Sequence, residues 1–522
     1  MGAIVTQSLP GIAHGVCPFI VIDGQQRLTT MTLILAGIRD LLKRHNSTTN
    51  ADKINNYLVN TSQENDNYYK IFYPYGGLDW DTYKWIVSKH NAASNNEYYS
   101  QMSNGLICKA FHFFKERLAA KIDGCSIDLD KLGNIIVSEL LLVNITSDDS
   151  DNPYLIFESL NNKNLLLTQG DLIRNYILMK SSEISQKEEI YREWGLLEKN
   201  FIKRKTSFEP IVNKELLTQY FWAYLRKDGI PVTENQTYKY MMIKFDQSLD
   251  KHQLLKELNQ FSNYYGKLSL YEKEPEEKII KYFRHFLELD FRTCHVFLLN
   301  IYKLYDHSKI SCEDFEEILC ILESYFVRRF FTGISTNILG KVFDNLYKEL
   351  LYNLNGNSIV ATLKTTLTQY KDSKRFPQEK DFRTAIINKK IYNNGDARRI
   401  KFILDRLENS VKRDTKEKSF IPSRNLTIEH IMPQKLTEKW HESLENSSDT
   451  SCKWLHTLGN LTLTADNSRL SNRIFKEKKT MYKNSNLNLN KYFDNVDDWN
   501  ADTIEKRANE LADLAINIWP MP

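Results

Sequence analysis

The chain lacks the features that would place it outside the cell or in a membrane. No apolar run is long enough to span a bilayer. The N-terminus has no basic stretch followed by an apolar core and a cleavage site, so no signal peptide is expected. Cysteine is scarce and scattered: Cys17, Cys108, Cys125, Cys294, Cys312, Cys320 and Cys452 are odd in number and never fall at Cys-x2-Cys spacing. That argues against a disulfide framework and predicts a reducing cytoplasm. Cys452 and His456 could be half of a zinc site, but no second half is visible, so packing is their expected role. No Walker A motif exists, since Gly333 to Lys341 has the wrong spacing and no following Ser or Thr. Charge of one sign is also lacking. A net charge of +4 allows nucleic-acid binding through local patches without demanding it. Fixed-period repeats, low-complexity tails, coiled coils and lipidation motifs are absent too.

What the chain has is length, apolar periodicity and two unusual stretches. Its 522 residues predict two to four domains, and 42% hydrophobic content supports sizeable cores. From 180 to about 370, seven segments carry apolar residues at three- and four-residue spacing. They are 187–201, 213–227, 254–271, 276–289, 294–305, 312–331 and 338–351, and each predicts a helix. Residues 371–380 read as a linker, 381–409 as helix, 411–418 as a charged connector and 499–519 as a closing helix. Between 45 and 150 the tyrosines and tryptophans at 68, 69, 73, 75, 80 and 85 are expected in a core, and 132–143 as a strand or buried segment. The expected fold class is α+β, mostly helical, with domains at 1–180, 181–375 and 376–522.

The first unusual stretch runs from Asn425 to Tyr482. Leu426–Met432 fits a short strand ended by Pro433, Asn460–Thr464 a second strand after Gly459, and 468–482 an amphipathic helix. Phosphodiester hydrolysis needs a base for water, a cation for the phosphate, and groups to hold both. An imidazole suits the base, and carboxylate or amide oxygens suit Mg²⁺. Strand, loop, strand and helix with a histidine on the first strand resemble the His-Me finger, or HNH, nuclease motif. The resemblance implies His430 as general base, Glu429 as metal ligand and Asn460 as orienter of the loop and imidazole. It also implies Asn467 or Asn472 completing a Mg²⁺ or Mn²⁺ site, with Arg473, Lys476, Lys478 and Lys479 facing phosphates.

The second stretch opens the chain. Phe19–Ile22 predicts a strand, Asp23-Gly24-Gln25-Gln26-Arg27 a turn, and Leu28–Ile38 a buried helix. A strand, a glycine turn and a helix N-terminus make an anion site, with Arg27 as a planar fork for phosphate. Gln25, Gln26 and Thr29 add donors, and Asp23 could hold a cation or a ribose hydroxyl. On spacing alone, an ordinary turn with a surface arginine fits as well. Val-Ile-Asp-Gly-Gln-Gln-Arg-Leu-Thr-Thr at 21–30 is similar to the signature of the ParB/sulfiredoxin-like NTPase domain that opens GmrSD-type restriction proteins. Residues 154–162, 167–176 and 323–329 resemble further segments of that family, whose usual partner domain is the His-Me finger. The family's Ile-Pro-x-Tyr-Gln-Arg-like first motif is absent, so the resemblance implies an incomplete nucleotide site and weak nucleotide use. It further implies a cytoplasmic, nucleotide-regulated endonuclease of phage defence acting on double-stranded, modified phage DNA. The nucleoside triphosphate stays open between GTP, ATP and CTP, and a homo-oligomer is allowed. The alternative is a nucleotide-gated DNA-binding regulator with an inactive nuclease domain.

Overall fold

A computed structural model of the protein describes residues 2–8, 17–62, 68–71, 77–88, 105–122, 125–147, 168–181, 187–202, 212–393, 395–410, 425–444 and 452–522. The chain forms two compact units, Met1–Leu167 and Thr168–Pro522. The expectations for 154–162 and 411–418 lie outside the described residues.

The first unit carries a three-stranded sheet. The Ala3–Ser8 strand is central, antiparallel to Phe19–Asp23 and parallel to Val143–Ser147. The helix Gln25–Arg44 follows the second strand directly. Leu33, Ala36, Ile38 and Leu41 recur at helical spacing along it and are buried against neighbours that include Leu58, Trp80 and Phe111. Tyr68, Tyr69 and Trp85 pack partly buried on the same core, whereas 73 and 75 lie outside the described residues. A fully buried Arg39 organises this unit. Its guanidinium donates to Asn55 Oδ1 at 3.0 Å and to the carbonyls of Ile86 and Val87, so three separate segments meet on one cation. The 132–143 segment is neither strand nor uniformly buried. It is the end of the Leu129–Asn134 helix, a π-helical turn at Ile135–Glu139, and exposed Leu140 and Leu141 before the third strand begins.

The second unit is mostly helical, and apolar periodicity locates its helices well. Lys187–Lys199, Lys214–Arg226, Lys251–Leu268, Glu277–Glu288, His295–Asp306, Cys312–Thr332 and Leu339–Asn353 correspond to the seven expected segments. In Glu277–Glu288 the buried set is Ile279, Tyr282, Phe283 and Phe286, a single apolar stripe. Cys312–Thr332 starts on a Ser311–Asp314 capping box and ends on Gly333 at φ 71°, the left-handed cap that glycine favours. Two helices not read from the sequence, Thr237–Gln247 and Ile359–Gln369, fill the intervals. Residues 371–380 are not a free linker. Arg328 and Arg329, both fully buried, donate to the carbonyls of Pro377, Ser373 and Arg375. Arg328 Nε also donates to Trp519 O at 2.7 Å, which ties the end of the closing helix Ala501–Ile518 to the same point. The two-stranded sheet of Thr427–His430 and Leu461–Thr464 sits in this unit and carries the candidate site.

Candidate active site

The two strands pair antiparallel, with Thr427 opposite Thr464 and His430 opposite Leu461. Alternation along a strand sends Glu429 and His430 to opposite faces of this ribbon. Beyond His430 the pairing gains one more bond, from Ile431 N–H to Asn460 O at 3.0 Å. Asn460 then fixes the loop. Its Oδ1 accepts from Met432 N–H at 2.8 Å and from Trp499 Nε1–H at 3.0 Å, and its Nδ2 donates to the carbonyls of Met432 at 3.0 Å and Leu455 at 2.9 Å. An amide offers two acceptor and two donor positions, and all four are used. The turn before Asn460 has no room to spare. A Cβ at Gly459 would stand 2.6 Å from Ile504 O in the closing helix. From that helix the buried Arg507 donates to Gly459 O at 2.8 Å and Leu461 O at 2.7 Å, bracketing Asn460.

On one face, His430 is 7% exposed. Its Nε2 lies 3.3 Å from His456 Nδ1 and its Nδ1 lies 3.3 Å from Gln434 Nε2. The Tyr392 ring stands edge-on to His430 at 4.5 Å and stacks on His456 at 5.8 Å. Burial, with smaller contributions from His456 and Lys478, pushes the His430 pKa down to about 3, so the imidazole is neutral at physiological pH. On the other face, Glu429 is 4% exposed, and its Oε1 accepts from Lys478 Nζ at 2.5 Å. Lys478 Nζ also donates to His430 O at 2.9 Å. Burial raises the Glu429 carboxyl and lowers the Lys478 ammonium, and each partner opposes the shift of the other.

The 468–482 stretch is two helices rather than one. Asn467–Leu470 and Phe475–Tyr482 are separated at Ser471, which takes φ 39°. In the second helix Lys478 shares the buried face with Phe475 and Tyr482. It has no exposed surface, so the lysine expected to face phosphates is instead the partner of Glu429. Arg473 and Lys476 are exposed, Arg473 paired with Glu477 at 3.0 Å, and Lys479 reaches Asp497 at 3.3 Å. Asn467 comes to the first strand, donating from Nδ2 to Ile428 O at 3.0 Å, while Asn472 lies in the exposed turn. Among the described residues no three His, Cys, Asp or Glu side chains gather to hold a metal.

Sequence reasoning left three participants without a role. His456 was assigned to packing, and its only signal is its place four residues before Asn460 inside Leu-His-Thr-Leu-Gly-Asn. Gln434 stood in the motif with no function. Tyr392 lies 38 positions from His430 in sequence, outside any local pattern, and only the fold brings it in.

In the first unit a helix follows the Phe19–Asp23 strand as expected, but it begins at Gln25, so the turn is Gly24 alone and Gln25, Gln26 and Arg27 lie in the first helical turn rather than in a turn at 23–27. Gly24 has φ 96°, and a Cβ there would meet Ile4 Cγ2 at 2.5 Å, so glycine is required twice over. The polar groups turn back on the chain. Arg27 donates to Ala3 O and lies 3.5 Å from Asp23 Oδ2, and Gln25 Nε2 donates to Val21 O at 2.9 Å. Gln26 is exposed. Beside them Gln26, Arg27, Thr30, Met31, Ile34, Ile136 and Leu140 line a cavity of about 410 Å³.

Family comparison bears on both stretches. The model of the GmrSD restriction endonuclease N-terminal domain matches residues 1–178, and that of the GmrSD restriction endonucleases' C-terminal domain matches 376–514, which contains the whole His430 site. The chain belongs to the GmrSD-type restriction endonucleases. Membership makes DNA the substrate and restriction the setting. Comparison with curated proteins finds no match. Among the described residues of this GmrSD-type chain, no helix is long and apolar enough to cross a membrane.

Proposed function

We propose that residues 376–522 form an HNH-type, ββα-metal endonuclease that hydrolyses phosphodiester bonds of foreign DNA, with His430 as general base. The observation that carries this reading is the Asn460 amide. It clamps the loop after His430 onto the second strand through four hydrogen bonds, as a rigid mount for one imidazole would require. A neutral His430 can accept a proton from water, and a DNA phosphate placed beside it would raise its pKa toward the operating range.

The donor chemistry fits a hard cation such as Mg²⁺ or Mn²⁺. The Glu429 carboxylate has a second oxygen beyond the one held by Lys478, and the Asn467 side-chain oxygen is left over once its amide nitrogen binds Ile428 O. Asn472 is the alternative to Asn467. When bound, the cation would stabilise charge on the phosphate. Exposed Arg473 and Lys476, with Lys479, would meet the DNA backbone. The N-terminal region is assigned as a ParB-like regulatory domain taking a nucleoside triphosphate at Asp23, Gly24, Gln25, Gln26 and Arg27, and modified phage DNA is the expected target. The test is cleavage of plain and modified phage DNA by the full chain, with and without Mg²⁺, EDTA, GTP, ATP and CTP. Cleavage that needs the metal supports the reading, and cleavage that persists in excess EDTA removes it.

A second reading, a nucleotide-gated DNA-binding regulator with an inactive nuclease domain, is favoured by one observation. The Glu429 carboxylate is already neutralised by Lys478. DNA binding without cleavage under every metal condition would select it.

A further inference from the structure

We infer that His456 is a positioning residue, fixing which nitrogen of His430 carries the proton. This deepens the nuclease reading above and rests on it for the catalytic consequence. A neutral imidazole has one N–H and one bare nitrogen, and its neighbours decide which is which. The Gln434 side-chain amide lies 3.3 Å from His430 Nδ1, but it is exposed and can turn either its nitrogen or its oxygen to the ring, so it does not select a tautomer. The selection falls to His456, whose Nδ1 lies 3.3 Å from His430 Nε2: with Nδ1 of His456 as acceptor, His430 carries its proton on Nε2 and leaves Nδ1 bare. His456 in turn carries its proton on Nε2.

The acceptor residue is anchored through its backbone. His456 O accepts from the backbone N–H groups of Ile391 and Tyr392 at 2.9 and 3.2 Å, and Lys390 bridges to Thr457 beside it. The Tyr392 ring lies nearly parallel to the His456 ring, with 14° between planes, and perpendicular to that of His430 at 85°. The backbone bonds hold the His456 main chain, and the Tyr392 ring covers one face of its imidazole. Gln434, by contrast, is exposed and sits at the nitrogen a reacting water must reach. The arrangement has one fixed side, His456, and one side that can be vacated, Gln434. A base that takes a proton from water needs that asymmetry, because a proton on Nδ1 would leave nothing there to accept one.

The test compares the full-length parent with His456→Ala, His456→Leu and His456→Asn. The Asn side-chain oxygen occupies the place of Nδ1 and can accept the same hydrogen bond. Two-bond ¹H–¹⁵N correlation spectra of ¹⁵N-histidine-labelled protein report the tautomer, with the His430 signals identified by their loss in His430→Ala. The parent and His456→Asn should show His430 protonated on Nε2, while His456→Ala and His456→Leu should show a mixture. Cleavage should fall in kcat by roughly 10- to 100-fold in Ala and Leu with KM unchanged, and recover in Asn. Leu keeps the side-chain volume and stands in should Ala not fold. An unchanged tautomer in Ala or Leu overturns the inference. So does a loss confined to KM, which would make His456 a DNA contact, or an Asn variant no better than Leu. A parent that cuts no DNA defeats the nuclease reading alone, because the tautomer comparison still decides the role of His456.

Discussion

Lys478 carries its charge with no exposed surface, held between the Glu429 carboxylate and the His430 carbonyl. Removing one member of a buried ion pair strands the other. Lys478→Met should therefore lower stability by about 3–5 kcal/mol, whereas Glu429→Leu with Lys478→Met should recover most of it and still cut no DNA. Urea unfolding of the two variants checks the first statement, and a cleavage assay the second. Equal stability of single and double variants would show that the pair is not coupled. His430→Ala should lose roughly 10²- to 10⁴-fold in cleavage rate while the thermal midpoint moves little. A variant that cuts as fast as the parent would remove His430 from the base role. At this scale the sequence supplied the types and order of Glu429, His430, Asn460 and Asn467. A lysine run on a helix reads as a solvated face, yet Lys478 lies three residues after Phe475 and four before Tyr482, on the buried stripe of that helix, so its direction was in the spacing and was hidden only by its charge. The sequence could not supply Tyr392, whose contact is purely tertiary.

The elements around the site depend on close approach. The Leu458–Asn460 turn lies against the closing helix with only a hydrogen at Gly459 between them, and Arg507 bonds across the same junction. Gly459→Ala should force the helix backbone away at Ile504. It should lower stability by about 1–3 kcal/mol and reduce cleavage more than a surface alanine in the same helix would. Thermal denaturation and a cleavage time course test both, and an unshifted Tm would show that the junction is slack. The long helices of the second unit were legible because each buries a stripe repeated over three or more turns. The break at Ser471 was not, since apolar residues at 470, 474 and 481 fit one continuous period. The π-helical turn at 135–139 was missed for a similar reason. An apolar run of that length does not separate strand from helix.

Across the second unit, distant segments converge on Glu323 in the Cys312–Thr332 helix. Its carboxylate lies 2.6 Å from His285 Nδ1, and it accepts from Arg406 Nε at 3.2 Å and from Trp519 Nε1 at 2.8 Å. Burial alone would raise its pKa, but the His285, Arg406 and Trp519 interactions outweigh it and hold the carboxyl below its usual range. A carboxyl lowered on folding contributes stability above its unfolded pKa and loses it as pH falls through the folded value. The protein should therefore lose stability below about pH 4.5, the ordinary glutamate value. Trp519→Phe should cost about 1.5–3 kcal/mol at neutral pH and move the acid transition to higher pH. Urea midpoints from pH 3 to 7 measure both, and identical acid transitions would exclude the carboxylate as the cause. This convergence was invisible in sequence, because 285, 323, 406 and 519 share no local pattern. The N-terminal family match ends at 178, while the compact units divide at Leu167 and Thr168, and the Gln169–Ser181 helix packs by Gly170 N–H on Thr218 in the second unit.

The fully engaged amide of Asn460 has a consequence for chemical ageing. Deamidation needs the side-chain carbonyl to swing onto the nitrogen of the next residue, and it proceeds most easily before glycine in an open turn. Asn460 precedes Leu461, is completely buried, and would have to release four hydrogen bonds before it could rotate. Asn355 precedes Gly356, is exposed, and already sits at φ 40°. Stored protein should therefore gain a new negative charge at Asn355 in the helical region long before the asparagine that mounts the His430 site changes.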